Sequence, residues 1–157
     1  MRISAQEEYG LRCILQLAQK GSSGVSTIPE IAEREGLSVE YTGKLMMLLR
    51  NAGLVESMRG KNGGYVLAGP AERITLGKVM RALSRPLFEP DSCDDYPGQA
   101  PVCVHRKECS IRPVWVTIGA LFTGMLDHLC LADLQAGEAE VAGKVRQRLL
   151  SEMCPVH

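Results

Sequence analysis

Gly36-Leu37-Ser38 stands between two stretches of helical periodicity, and this junction constrains the fold more than any other part of the chain. Gly36 can take the left-handed conformation that ends one helix and Ser38 can cap the next, so two helices must meet at a tight turn. Upstream, Thr27-Ile28-Pro29-Glu30 has the spacing of a capping box with proline in the first turn, which predicts a helix from about Ile28 to Glu35. Downstream, Leu45, Leu48, Leu49 and Ala52 recur at i, i+3, i+4 and i+7 and predict the inward face of the second helix. Val39, Glu40, Thr42, Gly43 and Lys44 are then expected near its exposed N-terminal end. Such a pair is a helix-turn-helix, whose second helix can enter a DNA major groove.

The flanking segments extend this frame. Leu11, Ile14, Leu15 and Ala18 make residues 4–20 an amphipathic helix closed by Gly21. After Gly53, Leu54 to Met58 and Tyr65 to Ala68 read as two strands joined across Arg59-Gly60-Lys61-Asn62-Gly63-Gly64, with the Asn62-Gly63 step expected to supply positive φ angles. That hairpin is a basic β-wing. Leu76, Val79, Met80 and Leu83 predict a short helix capped by Thr75. From Pro113 to Leu134, Val114, Ile118, Leu121, Met125 and Leu129, flanked by Trp115, Phe122 and Leu126, form a stripe too broad for one buried face. A second copy packed across a two-fold axis would cover it and set two recognition helices at the half-sites of a near-palindromic operator. A last helix is expected from Glu138 to about Glu152.

The predicted fold class is mostly α: a winged helix-turn-helix with a two-stranded β-wing and a long C-terminal dimerisation helix. It divides into a DNA-binding domain (1–84), a cysteine-rich loop (85–111), and a dimerisation helix with a C-terminal helix (112–157). The net charge of zero hides an asymmetry, because residues 1–84 hold 11 Lys and Arg against 8 Asp and Glu, and residues 85–157 hold 7 against 10. The basic half contains the expected reader. The opening Met1-Arg-Ile-Ser-Ala-Gln-Glu-Glu lacks the apolar region of a secretory signal, and Val114 to Leu126 is too short and polar for a bilayer span, so a cytoplasmic location is expected.

In that compartment the 6 cysteines are poor candidates for a disulfide framework. Cys93, Cys103 and Cys109 lie in or beside the segment from Pro86 to Pro101, which holds 4 of the 8 prolines and has few core-forming residues. Clustered loop thiols point to a metal or an iron–sulfur centre, and residue chemistry alone leaves zinc and iron–sulfur both open. Cys13 and Cys130 read as core or interface residues and Cys154 as a free thiol. No catalytic constellation and no Cys-x-x-Cys redox pair is present.

Together, Met1-Arg-Ile-Ser4, Leu37-Ser38 followed by Tyr41, the wing Arg59-Gly-Lys-Asn-Gly-Gly-Tyr65, the three-cysteine loop and Leu131-Ala-Asp-Leu134 resemble the iron–sulfur regulator family of bacterial winged-helix proteins, with IscR-like, NsrR-like, RirA-like and CymR-like members. The resemblance places Leu131–Leu134 late in the long helix. It implies a homodimeric repressor of transcription whose Cys93, Cys103 and Cys109 bind a [2Fe–2S] or [4Fe–4S] cluster that senses redox state, nitric oxide or iron status and alters operator affinity. The family also contains cluster-free members, so a zinc-binding or cluster-free regulator answering to a partner protein or small molecule is the alternative. Nine residues separate Cys93 from Cys103, longer than the family's usual gap, and Arg112 stands where IscR-like members carry a histidine ligand. The NsrR-like pattern then implies an acidic fourth ligand from helix one across the dimer, which aligns with Glu8; Glu7 and His105 are the competitors. Double-stranded DNA is the expected partner. Its contacts are expected from Ser38, Glu40, Tyr41, Thr42, Lys44 and Arg50 on the recognition helix, and from Arg59, Lys61, Asn62 and Gly63 on the wing. Arg59 would suit a narrow minor groove, whereas Lys44, Arg50 and Lys61 would neutralise phosphates.

Overall fold

The computed structural model describes residues 3–21, 24–60, 63–84 and 94–153, the side chains of the last five excepted. Helix α1, Ala5–Gln19, begins where Ser4 accepts from the Glu7 amide while the Glu7 carboxylate returns to the Ser4 amide. Thr27 and Glu30 make the same reciprocal cap at the start of α2, Ile28–Glu35. Each box satisfies two of the amides that a helix start leaves unpaired. Gly36 ends α2 at φ 66° and ψ 35°, a left-handed geometry that disfavours any residue with a Cβ. Ser38 then caps α3, Val39–Asn51, by accepting from the Tyr41 amide at 3.2 Å.

Cys13, Ile14, Leu17 and Ala18 of α1, Ile31 of α2, and Leu45, Met46 and Leu49 of α3 form the centre of the core. Each large side chain buried there contributes about 1.5–3 kcal/mol relative to exposure. The inward face of α3 differs from the expected one: Thr42, Leu45, Met46 and Leu49 are buried, Leu48 is half-buried and Ala52 is exposed. Both faces satisfy a spacing of three and four residues. The phase is set by how α3 lies against α1 and α2, which one-dimensional periodicity does not contain.

The wing consists of β1, Val55–Met58, and β2, Gly64–Leu67, paired antiparallel with Val55 opposite Leu67 and Met58 opposite Gly64. Tyr65 also bridges to Ser26, which ties the hairpin to the segment leading into α2. The Gly63 amide donates to the Gly60 carbonyl at 2.9 Å, closing the tip. Positive φ falls on Gly60, at 119°, rather than on Gly63, and Lys61 and Asn62 lie outside the described residues.

Helix α4, Leu76–Leu83, is capped by Thr75 as expected. The long helix is shorter than expected: α5 spans Arg112–Asp127, and Leu131–Leu134 forms a separate 3-10 turn. Apolar composition continues past Asp127, but the chain turns back to bury Leu129 and Leu131 in the core, and Cys130 bridges to Thr75. Arg81 grips both carboxylate oxygens of Asp127 at 2.8 and 3.0 Å, with Thr75 donating at 3.2 Å, and this anchors the turn. Gly77 makes the approach possible, since a Cβ there would lie 2.1 Å from Asp127 Oδ1. Helix α6, Glu138–Met153, follows. Its Arg148 pairs with Asp133 at 2.8 Å, and the buried Asp133 also accepts from the Cys130 thiol at 3.0 Å.

Candidate nucleic-acid interface and thiol loop

Helix α3 presents Val39 at its start, 54% exposed, and Met47 past its middle, 52% exposed, with Gly43 between them at steps of four residues. The expected contact set omits Met47, although both the expected and the observed inward faces leave it on the opposite side of the helix. Glu40 and Lys44 are exposed and paired with each other at 2.9 Å. Arg50 and Arg59 are exposed, on α3 and just past β1. Thr42 corrects the expected contact set. It is fully buried and its Oγ1 has no hydrogen-bond partner, so it belongs to the α3 core face and cannot meet a base edge. Ser38 is exposed with its hydroxyl engaged in the cap. Tyr41 is half-buried, its ring edge-on to Tyr9 with centroids 6.2 Å apart, and the Arg12 guanidinium lies 5.4 Å over Tyr9. This small stack braces α3 against α1.

Cys103 and Cys109 are half-exposed on the loop before α5, and Cys93 lies outside the described residues. Backbone amides of Arg112 and then Ile111 donate to the Cys109 sulfur at the start of α5, which holds the thiol below its ordinary range. The thiolate is the metal-binding form of cysteine. Cys13 is different in kind, since burial pushes its thiol up to about 12, and burial with a bond to Asp133 raises Cys130. The described donors on this loop, two half-exposed thiols with one biased toward thiolate, fit a soft metal or iron–sulfur centre. Among the described residues no group of three or more His, Cys, Asp or Glu converges as a metal site, a set that omits Cys93.

Arg112 has a structural task in place of ligation: its guanidinium donates to the Arg106 carbonyl at 2.6 Å, and Arg106 pairs with Asp94. The thiol loop is thereby laced to the first turn of α5. Glu8 is exposed on α1. Its competitor Glu7 is occupied, holding the Ser4 amide and accepting from the Ser84 hydroxyl at 2.6 Å. Burial pushes the Glu7 carboxyl up, but the bonds from Ser84 and Ser4 outweigh it and hold the acid below its ordinary range. His105 is exposed on the loop. Ser84 ends α4 directly before the cysteine segment, so one root of the loop is fastened beside Glu7 and Glu8.

A helix-turn-helix with an exposed recognition-helix end, followed at once by a basic hairpin, defines a winged-helix DNA-binding protein. The model of the Rrf2 family, described as iron-dependent transcriptional regulators, matches residues 3–137. The chain belongs to the Rrf2 family. It is 37% identical over 134 residues to the protein rrf2 of Nitratidesulfovibrio vulgaris, covering 85% of this chain and 87% of that one. The structure of CymR, the global cysteine regulator of B. subtilis, matches with a TM-score of 0.67 at 34% identity, covering 86% of this chain and 96% of that one. T. potens IscR matches with a TM-score of 0.68 at 32% identity, covering 88% and 90%. The chain is accordingly a transcription regulator and not an enzyme. Among the described residues no helix is long and apolar enough to cross a membrane.

Proposed function

We propose that this regulator is a cytoplasmic homodimeric repressor whose operator affinity follows the state of an iron–sulfur cluster held by Cys93, Cys103, Cys109 and, across the dimer, Glu8. The observation that carries this reading is the place of Cys109, half-exposed and three residues before α5, where the Arg112 and Ile111 amides favour its thiolate, the metal-binding form. A bound cluster would supply a centre that oxidants and nitric oxide can alter. The chain's own residues do the rest. Asp94, Arg106 and Arg112 lace the loop to α5, and Arg81, Thr75 and Asp127 lock the other end of α5 to α4. Helix α4 in turn packs on α1 and α3, the recognition helix. The exposed Val114, Trp115, Ile118 and Leu121 of α5 supply an apolar face for the second subunit.

Operator binding can be switched only if the two states of the loop differ in DNA affinity. Anaerobic purification with absorption spectroscopy and metal analysis tests the centre, and operator titration of loaded and cluster-free protein tests the coupling. The expected result is a coloured protein that loses its chromophore in Cys109→Ala, has an altered spectrum in Glu8→Ala, and binds DNA differently once stripped. A colourless protein with one zinc per chain, or equal operator affinity in both states, overturns the sensing assignment. The similarity to CymR favours a cluster-free or zinc-binding regulator as the second reading, with a partner protein or small molecule as its signal.

A further inference from the structure

The outward ridge of α3 has an unusual composition for a surface that reads DNA. Val39, Gly43 and Met47 follow one another at steps of four residues, and Val39 and Met47 are each more than half exposed. The adjacent polar residues Glu40 and Lys44 are 2.9 Å apart and satisfy each other. Of the other polar side chains of this stretch, Thr42 is buried and Tyr41 is half-buried with its ring against Tyr9.

Gly43 needs explanation, since glycine is a poor helix former and this one sits inside a helix. Nothing among the described residues requires it. An added Cβ would meet only Ile28 Cδ1 at 3.8 Å, an ordinary contact, and Gly43 is not at positive φ. The missing side chain therefore has no use among the described residues, and it leaves a bare backbone that something outside the chain can approach closely. The ridge is about 12 Å long from the helical rise, comparable to the width of a major groove. Within that groove the 5-methyl group of thymine is the apolar feature an aliphatic or thioether side chain can recognise. The exposed Arg50 on the same helix is available for a backbone phosphate.

We propose that Val39, Gly43 and Met47 form an apolar reading edge that selects thymine by its methyl group, with Gly43 letting the α3 backbone sit close to the base edges. The proposal rests on the chain being a DNA-binding regulator and adds the base chemistry that it reads.

The test begins with full-length protein selecting from a random duplex library, followed by affinity measurements on the enriched duplex with single thymines replaced by deoxyuridine. Loss of a contacted methyl should weaken binding about fourfold, and about fifteenfold when both half-sites are changed. Met47→Ala or Val39→Ala should bind more weakly and lose this sensitivity at its own thymine. Gly43→Ala should raise the melting temperature by about 3 °C yet weaken binding at least about fivefold, a pairing that a purely structural glycine would not show. An enriched duplex indifferent to deoxyuridine, or a Gly43→Ala protein that binds as well as wild type, overturns the reading edge while leaving DNA binding intact. Failure to enrich any duplex at low salt overturns both.

Discussion

Replacing Thr42 by valine separates two roles that sequence periodicity alone confuses. The side chain is fully buried on the α3 face that also carries Leu45, Met46 and Leu49, and its Oγ1 has no partner. Valine keeps the β-branched shape, so the substitution replaces one uncompensated hydroxyl by a methyl of similar size. A buried polar group without a hydrogen bond costs about 1–3 kcal/mol, so a gain of about 1–2 kcal/mol is expected. With about 2.1 cal/mol/K of unfolding entropy per residue, that gain raises the melting temperature by about 3–6 °C for a chain of 157 residues. Differential scanning calorimetry of both proteins at one protomer concentration measures it, because a dimer's midpoint depends on concentration. Operator affinity should stay within about twofold, since the residue faces the core. A Thr42→Val protein that is less stable than wild type would show that the hydroxyl is satisfied. Unchanged stability with a large loss of DNA affinity would refute the inward placement and restore Thr42 to the groove.

Three further outcomes follow from the clamps and the thiols. The Arg81 bond holds the Asp127 carboxyl below its ordinary value of 3.8 against the opposing effect of burial, with Thr75 assisting. A depressed acid contributes fully above the unfolded value and is lost as pH falls through the folded one, so Arg81→Met should cost about 0.5–1 kcal/mol near neutrality and progressively less below about pH 4. Urea midpoints across that range measure the gap, and a gap that does not narrow contradicts the assignment. Gly77→Ala should destabilise by about 1–3 kcal/mol, because its methyl displaces the Asp127 carboxylate; combining it with Arg81→Met should cost less than the sum of the two. In cluster-free protein, iodoacetamide should label Cys109 well before the buried Cys13 and Cys130, with a pH midpoint below the ordinary thiol value of 9.0. Peptide mass spectrometry reads the order, and equal rates would mean that the amides at the start of α5 do not favour the thiolate.

Much of the DNA-binding half could be read from neighbouring residues. The Thr27–Glu30 box, Gly36, Ser38 and Thr75 each close a bond or set a backbone angle within three residues, and the helices begin and end where those residues stand. The first wing strand starts one residue later than expected and ends at Met58 as expected, whereas the second lies one residue earlier, with its register closed by Gly64 opposite Met58 and by the bridge from Tyr65 to Ser26. The cysteine loop could be recognised from its thiols. What holds Cys109 at the start of α5, however, is a pair of amides that no spacing rule names.

The chain by itself determined where its helices are capped and turned, since those choices rest on bonds between residues three or four apart and depend on no other part of the molecule. Tertiary structure decided which face of α3 points inward, that Thr42 is buried, and that the long helix stops at Asp127. Those outcomes depend on partners far away in sequence: Arg81 lies 46 residues from Asp127 and Thr75 lies 52. An apolar stripe states that a helix must be buried, but the direction of burial is chosen only when its neighbours pack against it.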